Sequence, residues 1–450
     1  MDWKMTIALV AITVGLLVGE RGGVAVFAGE SNAPQAIPEV LTLDKAVELA
    51  LSNHPSLRVA SGTQAVNEAL VGQAQSGFYQ QVQAQSGYQR GTANATRNFT
   101  GAPLPRSTSG NTFGYYQNSV TLNQLLYDFG TIKSQVDTAQ YNLKAANSDA
   151  ETTLQTVVVN VQQAYFGLQQ AQRLVTVSEE AVGQFQKHLD LAKGRFKAGV
   201  APKIDMTTAE VDLSNAQLNL ITAKNNLSLA RVTLNNAMGV LSAAPYRVQE
   251  PEVLEPYQIA LDEAVARAMQ LRPEMISQLA QERSAEVAIK AAQGGYLPTV
   301  TSSAAYSYNG TDFPLVYNWN VGGTVNIPIF SGYLTQQQVA QARANLLKTK
   351  ANGEVLKQNI LLEVNQALLN LQAAKERLQL TAVTIVQAKE RLAQVEGRYR
   401  AGLSNAVEVT DAEVALVNAQ VNDVVALSNY QAAKAQLERA MGISTPVKGS

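Results

Sequence analysis

Apolar positions fall on two different periods along this chain. Leu168, Val175, Val182, Leu189 and Phe196 are spaced by seven, and so are Leu371, Leu378, Ile385, Leu392 and Tyr399. Val158, Val161 and Tyr165, and likewise Leu361, Val364 and Leu368, fill the intervening places of a four–three pattern. A heptad seam sustained this long predicts coiled-coil packing. No proline interrupts Gly130–Val200 or Gly332–Leu403. Each stretch is therefore expected to be one helix of about 65 residues and about 100 Å. Ile204–Met238 and Val407–Met441 predict a second helix after each. Elsewhere the period is two. Residues near 82–90, 115–126, 299–308 and 317–329 alternate apolar or aromatic side chains with small polar ones, which predicts strands of a sheet with two unlike faces.

These patterns occur twice. Leu41-Thr-Leu-Asp44-Lys-Ala46-Val47 returns 218 residues later as Ile259-Ala-Leu-Asp262-Glu-Ala264-Val265, and Gly77-Phe78 as Gly295-Tyr296. Further on the shift is 203: Arg195-Phe196-Lys197-Ala198-Gly199 returns as Arg398-Tyr399-Arg400-Ala401-Gly402. The difference of 15 is the longer connection Gly91–Asn111, rich in Gly, Ser, Thr and Asn, against Asn309–Pro314. Length alone, 450 residues, would suggest three domains. The repeat replaces that with two units, 40–240 and 258–443, joined through Pro245–Pro256.

Composition narrows the chemistry. Lys plus Arg number 35 and Asp plus Glu 36, so no charge excess favours a nucleic acid. Charged residues are 16% of the chain, so the polar surface must be made largely of uncharged side chains. Without Cys there are no disulfides, thiolate metal sites or thiol nucleophiles. Only His54 and His188 carry imidazoles, and their repeat counterparts Arg272 and Arg391 mark them as solvated basic positions. No catalytic set, cofactor site or metal site is expected. At the N-terminus, Lys4, an apolar run to Val18 and Val26-x-Ala28 predict a signal peptide over residues 1–28. The aromatic residues Tyr88, Tyr115, Tyr116, Tyr306, Tyr308, Tyr317 and Trp319 gather on the predicted strands, as in a girdle at a lipid interface.

An open four-stranded sheet cannot cross a membrane, because its edges would leave backbone groups unpaired in lipid. Closure needs at least eight strands, which two chains or three would supply. Leu43-Asp44-x-Ala46, Leu261-Asp262-x-Ala264, Gly295-Tyr296-Leu297-Pro298-Thr299, Arg398-Tyr399-Arg400-Ala401-Gly402 and Ala440-Met441-Gly442, in that order on a two-repeat layout, resemble the outer-membrane efflux protein family. The resemblance implies a mainly α fold with a small β part. A homotrimer would form a long α-helical coiled-coil barrel and a transmembrane β-barrel of four strands per chain, set in outer-membrane lipid. It implies an exit duct for small toxic molecules, working with a periplasmic adaptor and an inner-membrane pump. A duct for secreted polypeptides and a non-channel coiled-coil envelope protein are the alternatives. The resemblance makes the turns carrying Gly199, Val200, Gly402, Leu403 and Ser404 the docking tip. It also makes Tyr399 a residue that closes the tunnel mouth. Glu408 and Asp411, on one helix face at i, i+3, with Asp205 from the first copy, are expected to ring that mouth with carboxylates.

Overall fold

The computed structural model describes residues 38–92, 112–241, 246–250 and 257–443. The expected signal peptide and nearly all of the Gly91–Asn111 connection lie outside these residues. In chain order the elements are β1 (Val40–Leu41), α1 (Leu43–Asn53), α2 (Pro55–Gln75), β2 (Gln81–Thr92), β3 (Thr112–Tyr127), α3 (Thr131–Lys197) and α4 (Lys203–Ala237). They continue with β4 (Arg247–Val248), α5 (Leu261–Leu271), α6 (Pro273–Gln293), β5 (Thr299–Gly310), β6 (Val316–Asn326), α7 (Leu334–Arg400) and α8 (Ala406–Ala440). The fold is mainly α with a small β part.

The two long helices α3 and α7 each run 67 residues, about 100 Å. Each folds back on its shorter partner through alanine-rich seams. Ala181, Ala192, Ala209 and Ala216 surround Phe185, Leu189 and Leu213 in the first hairpin. Ala388, Ala412 and Ala419 surround Leu392 and Leu416 in the second. Small residues let the paired helices approach closely, while leucine knobs fill the seam. α3 also packs on α6 and on α8, tying the two copies together. A parallel two-residue ladder, Val40↔Arg247 and Leu41↔Val248, closes against the middle of α3. There the Tyr165 hydroxyl donates to the Leu41 carbonyl at 3.1 Å, and burial pushes that phenol up to about 12.

Capping residues explain several boundaries. Thr42 caps α1, and the His54 ring nitrogen accepts from the Ser56 amide at 3.2 Å with Pro55 in the first turn of α2. His54 thus serves as the cap of α2. The Asp128 carboxylate accepts from the amides of Gly130 and Ile132 at 3.0 and 2.6 Å, turning β3 into α3. Two of the boundaries that differ from expectation have plain causes. β6 stops at Asn326 rather than 329, because Pro328 has no amide hydrogen to offer a ladder. α7 begins at Leu334, since both Gly332 and Tyr333 are left-handed, with φ of 62° and 64°.

The four long strands form one antiparallel sheet in the order β2-β3-β5-β6. The register Gln81↔Asn123 of the first hairpin becomes Thr299↔Asn326 of the second under the sequence shifts of 218 and 203. The outer edges, β2 and β6, have no strand partner among the described residues.

Candidate channel surfaces

The sheet has two chemically unlike faces. Val82, Ala84 and Tyr88 of β2 align through the register with Leu122, Val120 and Tyr116 of β3. Ala304 and Tyr306 of β5 align with Leu122 and Val120 on one side and with Val321 and Trp319 of β6 on the other. Trp319 and Val321 are 70% and 74% exposed, so this apolar face has no cover there among the described residues. Its polar members serve one another: the Ser86 hydroxyl donates to Asn118 Oδ1 at 2.7 Å. The opposite face carries Gln81, Gln83, Gln85, Gln117, Ser119, Thr121, Ser303, Ser307, Asn318, Asn320 and Thr324. Arg90 is the one charged residue of the four strands, and it alternates onto the apolar face.

Aromatic rings mark both ends of the apolar face. Near the hairpin loops, Tyr88 and Tyr116 have centroids 4.9 Å apart, and the Tyr306 and Tyr308 hydroxyls are 3.0 Å apart. Tyr317 and Trp319 pair with these last two across the ladder, while Tyr115 alternates onto the polar face. Near the helices stand Tyr127 with Phe129 at 4.6 Å and Phe330 with Tyr333 at 5.5 Å. A bulge at Leu126 re-aims Tyr127, so that it opposes Val300 on the apolar face.

At the other end of the long helices lie the two turns. Gly199 and Gly402 have φ of 73° and 76°. The amides of Val200 and Leu403 reach back to the carbonyls of Arg195 and Arg398, closing Schellman caps that need glycine. Val200 and Leu403 are 64% and 70% exposed, which leaves an apolar tip. Asn405 caps α8, accepting from the Glu408 amide at 2.8 Å. Ser404 instead donates to the Glu408 carboxylate at 2.7 Å, and Arg398 stands 3.8 Å from it. Glu408 is thus engaged by its own turn, while Asp411 is exposed and Asp205 is half-buried.

Tyr399 is buried. The Arg195 guanidinium lies 4.6 Å above its ring and donates to its carbonyl at 2.7 Å. The His188 ring stacks on it at 6.0 Å, and its own hydroxyl has no partner among the described residues. Burial, with the Asp205 charge adding to it, raises its pKa.

Two basic positions read as solvated are in fact buried. His188 on α3 meets Glu413 on α8 through Nδ1 and Oε2 at 3.1 Å, both side chains being almost wholly enclosed. Burial pushes the Glu413 carboxyl up, and the histidine hydrogen bond works against it. Arg272 lies between Glu274 and Glu363 at 3.1 and 2.6 Å, with Arg439 reaching both carboxylates. Taking such ions out of water is costly unless every charge is paired, and here each is. Sequence reading missed Glu413 and Arg195. Their repeat counterparts are Glu210 and Arg398, so same-type residues at matched positions were the available signal.

The sequence profile described as outer membrane efflux protein matches residues 46–240 and 264–443. The outer membrane efflux protein BepC of Brucella suis biovar 1 is 24% identical over 415 residues, covering 90% of this chain and 86% of that protein. The outer membrane protein TolC of Escherichia coli is 26% identical over 316 residues, 65% of this chain and 62% of its own. The crystal structure of the Campylobacter jejuni CmeC outer membrane channel superposes with a TM-score of 0.79 at 18% identity, covering 91% of this chain and 87% of that one. With the profile matching most of its length, the chain belongs to the outer membrane efflux protein family.

Proposed function

We propose that three copies of this chain form a channel-tunnel, the exit duct of a tripartite efflux system for small toxic molecules. The reading rests first on the sheet: apolar outside, uncharged polar inside, and open at both edges. Twelve strands from three chains would close it, with amides and hydroxyls facing water and apolar side chains facing outer-membrane lipid. From Tyr116 to Tyr127, allowing one residue for the bulge and a tilt of about 40°, the aromatic groups stand about 25 Å apart along the barrel axis, the height of a lipid-facing band. The long helices would continue as a periplasmic tunnel. Residues 1–28 would direct export, and 40–240 and 258–443 would act as the two repeats of each wall segment. The apolar tips at Gly199–Val200 and Gly402–Leu403–Ser404 suit a periplasmic adaptor, which would couple the duct to an inner-membrane pump. Tyr399, Asp205, Glu408 and Asp411 would close the mouth beside them.

The helices support the same closure. Positions 203 residues apart are buried in α3 and exposed in α7, yet both stay large and apolar. Val159, Phe166 and Val177 are 7%, 9% and 9% exposed; their counterparts Leu362, Leu369 and Leu380 are 55%, 64% and 68%. Ile221 on α4 is likewise 65% exposed where Val424 on α8 is 7%. α3 is covered by α6 and α8 of its own chain. The repeat assigns α2 and α4 of the next chain as the cover for α7.

Protein extracted from outer membranes and added to planar bilayers should form stepwise conducting channels and need detergent for solubility. A protein soluble without detergent and without conductance would refute the reading in favour of a structural coiled coil. Secretion of polypeptides is the second reading. A relative named toxin and drug export protein A, from Aggregatibacter actinomycetemcomitans, is 23% identical over 391 residues, and its name couples toxin with drug export.

A further inference from the structure

The buried His188–Glu413 pair has a counterpart that a single chain cannot complete. Shifting His188 by 203 residues gives Arg391 on α7, and shifting Glu413 back by 203 gives Glu210 on α4. The pair crosses the α3–α8 seam inside the chain. The repeat carries that seam onto α7 of one protomer and α4 of its neighbour. Arg391 is exposed in the isolated chain, and the Glu210 side chain is 47% exposed, with Lys193 Nζ 3.8 Å from its carboxylate.

We propose that Arg391 of one protomer and Glu210 of the partner subunit form an ion-pair clasp at each of the three seams between chains. These clasps alternate around the tunnel with the three His188–Glu413 pairs inside the chains. This deepens the trimeric reading above and depends on it. The surroundings of the two acids differ in a way that favours the clasp. Glu413 faces His188 from α3 and two further carboxylates, Glu396 from α7 and Asp212 from α4. The counterparts of those two carboxylates are Lys193 and Ala415. Glu210 would therefore sit between two cations, Arg391 and Lys193, with no acid taking the place of Glu396 or Asp212. Opposite charge close by favours the ionised carboxylate, and arginine stays charged throughout the physiological range. The arginine would thus keep the seams between chains paired across the physiological range.

The test uses the full-length protein purified in detergent. A short bis-maleimide should link Arg391→Cys to Glu210→Cys between chains, giving covalent dimers and trimers that neither single variant gives. Arg391→Glu and Glu210→Arg should each shift trimer dissociation to lower temperature, and the combined swap should restore it. Both residues are exposed in the single chain, so its folding is not at risk from either change. If the wild-type protein is not a trimer, the three-chain reading falls and the clasp with it. If the trimer forms but the cysteines do not link, or the double swap dissociates as readily as the single ones, the clasp alone is overturned.

Discussion

The seam between chains in the barrel has a register that can be worked out residue by residue. Inside the chain β3 pairs with β5, and Asn123 stands opposite Ser303. The shift of 203 takes Asn123 to Asn326 on β6, and the shift of 218 takes Ser303 back to Gln85 on β2. Asn326 of one protomer should therefore face Gln85 of the next across a β6–β2 ladder. Directly opposed residues have Cα atoms about 4.5–5.5 Å apart, within the Cα span of a disulfide. A slip of two residues opens this to about 7–8 Å, and a slip of one throws the side chains onto opposite faces. The chain contains no cysteine, so the background is clean. Asn326→Cys with Gln85→Cys, oxidised in the membrane, should give covalent trimers on a non-reducing gel. Asn326→Cys with Gly87→Cys should give far fewer. Asn123→Cys with Ser303→Cys should bond within the chain and leave a monomer band, which checks the chemistry. If the Gly87 pair links as well as the Gln85 pair, or the Gln85 pair stays monomeric while the internal control oxidises, the barrel is not closed by this register.

Four further outcomes follow from the packing and charges. Replacing Leu362, Leu369 and Leu380 by Ser should remove roughly 1.5–3 kcal/mol per buried leucine from each seam, giving monomers by light scattering with helical circular dichroism retained. Asp128→Ala deletes the carboxylate that caps α3 and should cost about 1 kcal/mol, read as a lower unfolding temperature. Burial works to raise the pKa of Glu274, but the Arg272 hydrogen bond and charge outweigh it, so the net shift is down. Its stabilisation is present above the ordinary glutamate range and lost on acidification through it; Glu413, raised by burial, loses its contribution as pH rises instead. Thermal melts across pH should thus fall on the acid side, less so in Glu274→Gln, and Glu413→Gln should lessen the fall on the alkaline side. Asn320→Asp would put three carboxylates onto the uncharged polar face inside the barrel, and reversal potentials in a salt gradient should move toward cation preference.

The long elements were legible because their causes are local and periodic. Heptads reported α3 and α7, the turns after them reported α4 and α8, alternation reported the four strands, and repeated glycines reported the turns. What escaped depended on partners far along the chain. His188 and Glu413 are 225 residues apart, and nothing near either one says that the other encloses it. Matching His188 with Arg391 suggested a solvated cation, whereas the repeat places the two on different kinds of seam. Arg272 was misjudged for the same reason: its carboxylate at Glu363 comes from a helix 91 residues on. The cation beside Tyr399 was not legible either. Arg195 approaches Tyr399 across two hairpins, through the ring face and the carbonyl, and neither contact has a sequence pattern.

Duplication gives the wall its regularity, and divergence between the copies gives its seams different jobs. Were the two copies identical, every seam of a closed trimer would be alike, and the mouth could loosen only by loosening everywhere. Here the positions that bury Ser277 and Ser284 of α6 against their own chain carry Val59 and Val66 on α2, 69% and 59% exposed. Small hydroxyl residues serve the internal seam, where covalent continuity already holds the helices together. Larger apolar residues wait at the external one, where association must overcome lost freedom of motion. The same division separates His188 from Arg391. A titratable residue sits where the chain joins itself, and a permanent cation where it would meet another. On this reasoning a movement that opens the tunnel mouth should begin at the α3–α8 seam inside each chain, with the contacts between chains serving as the frame against which it moves.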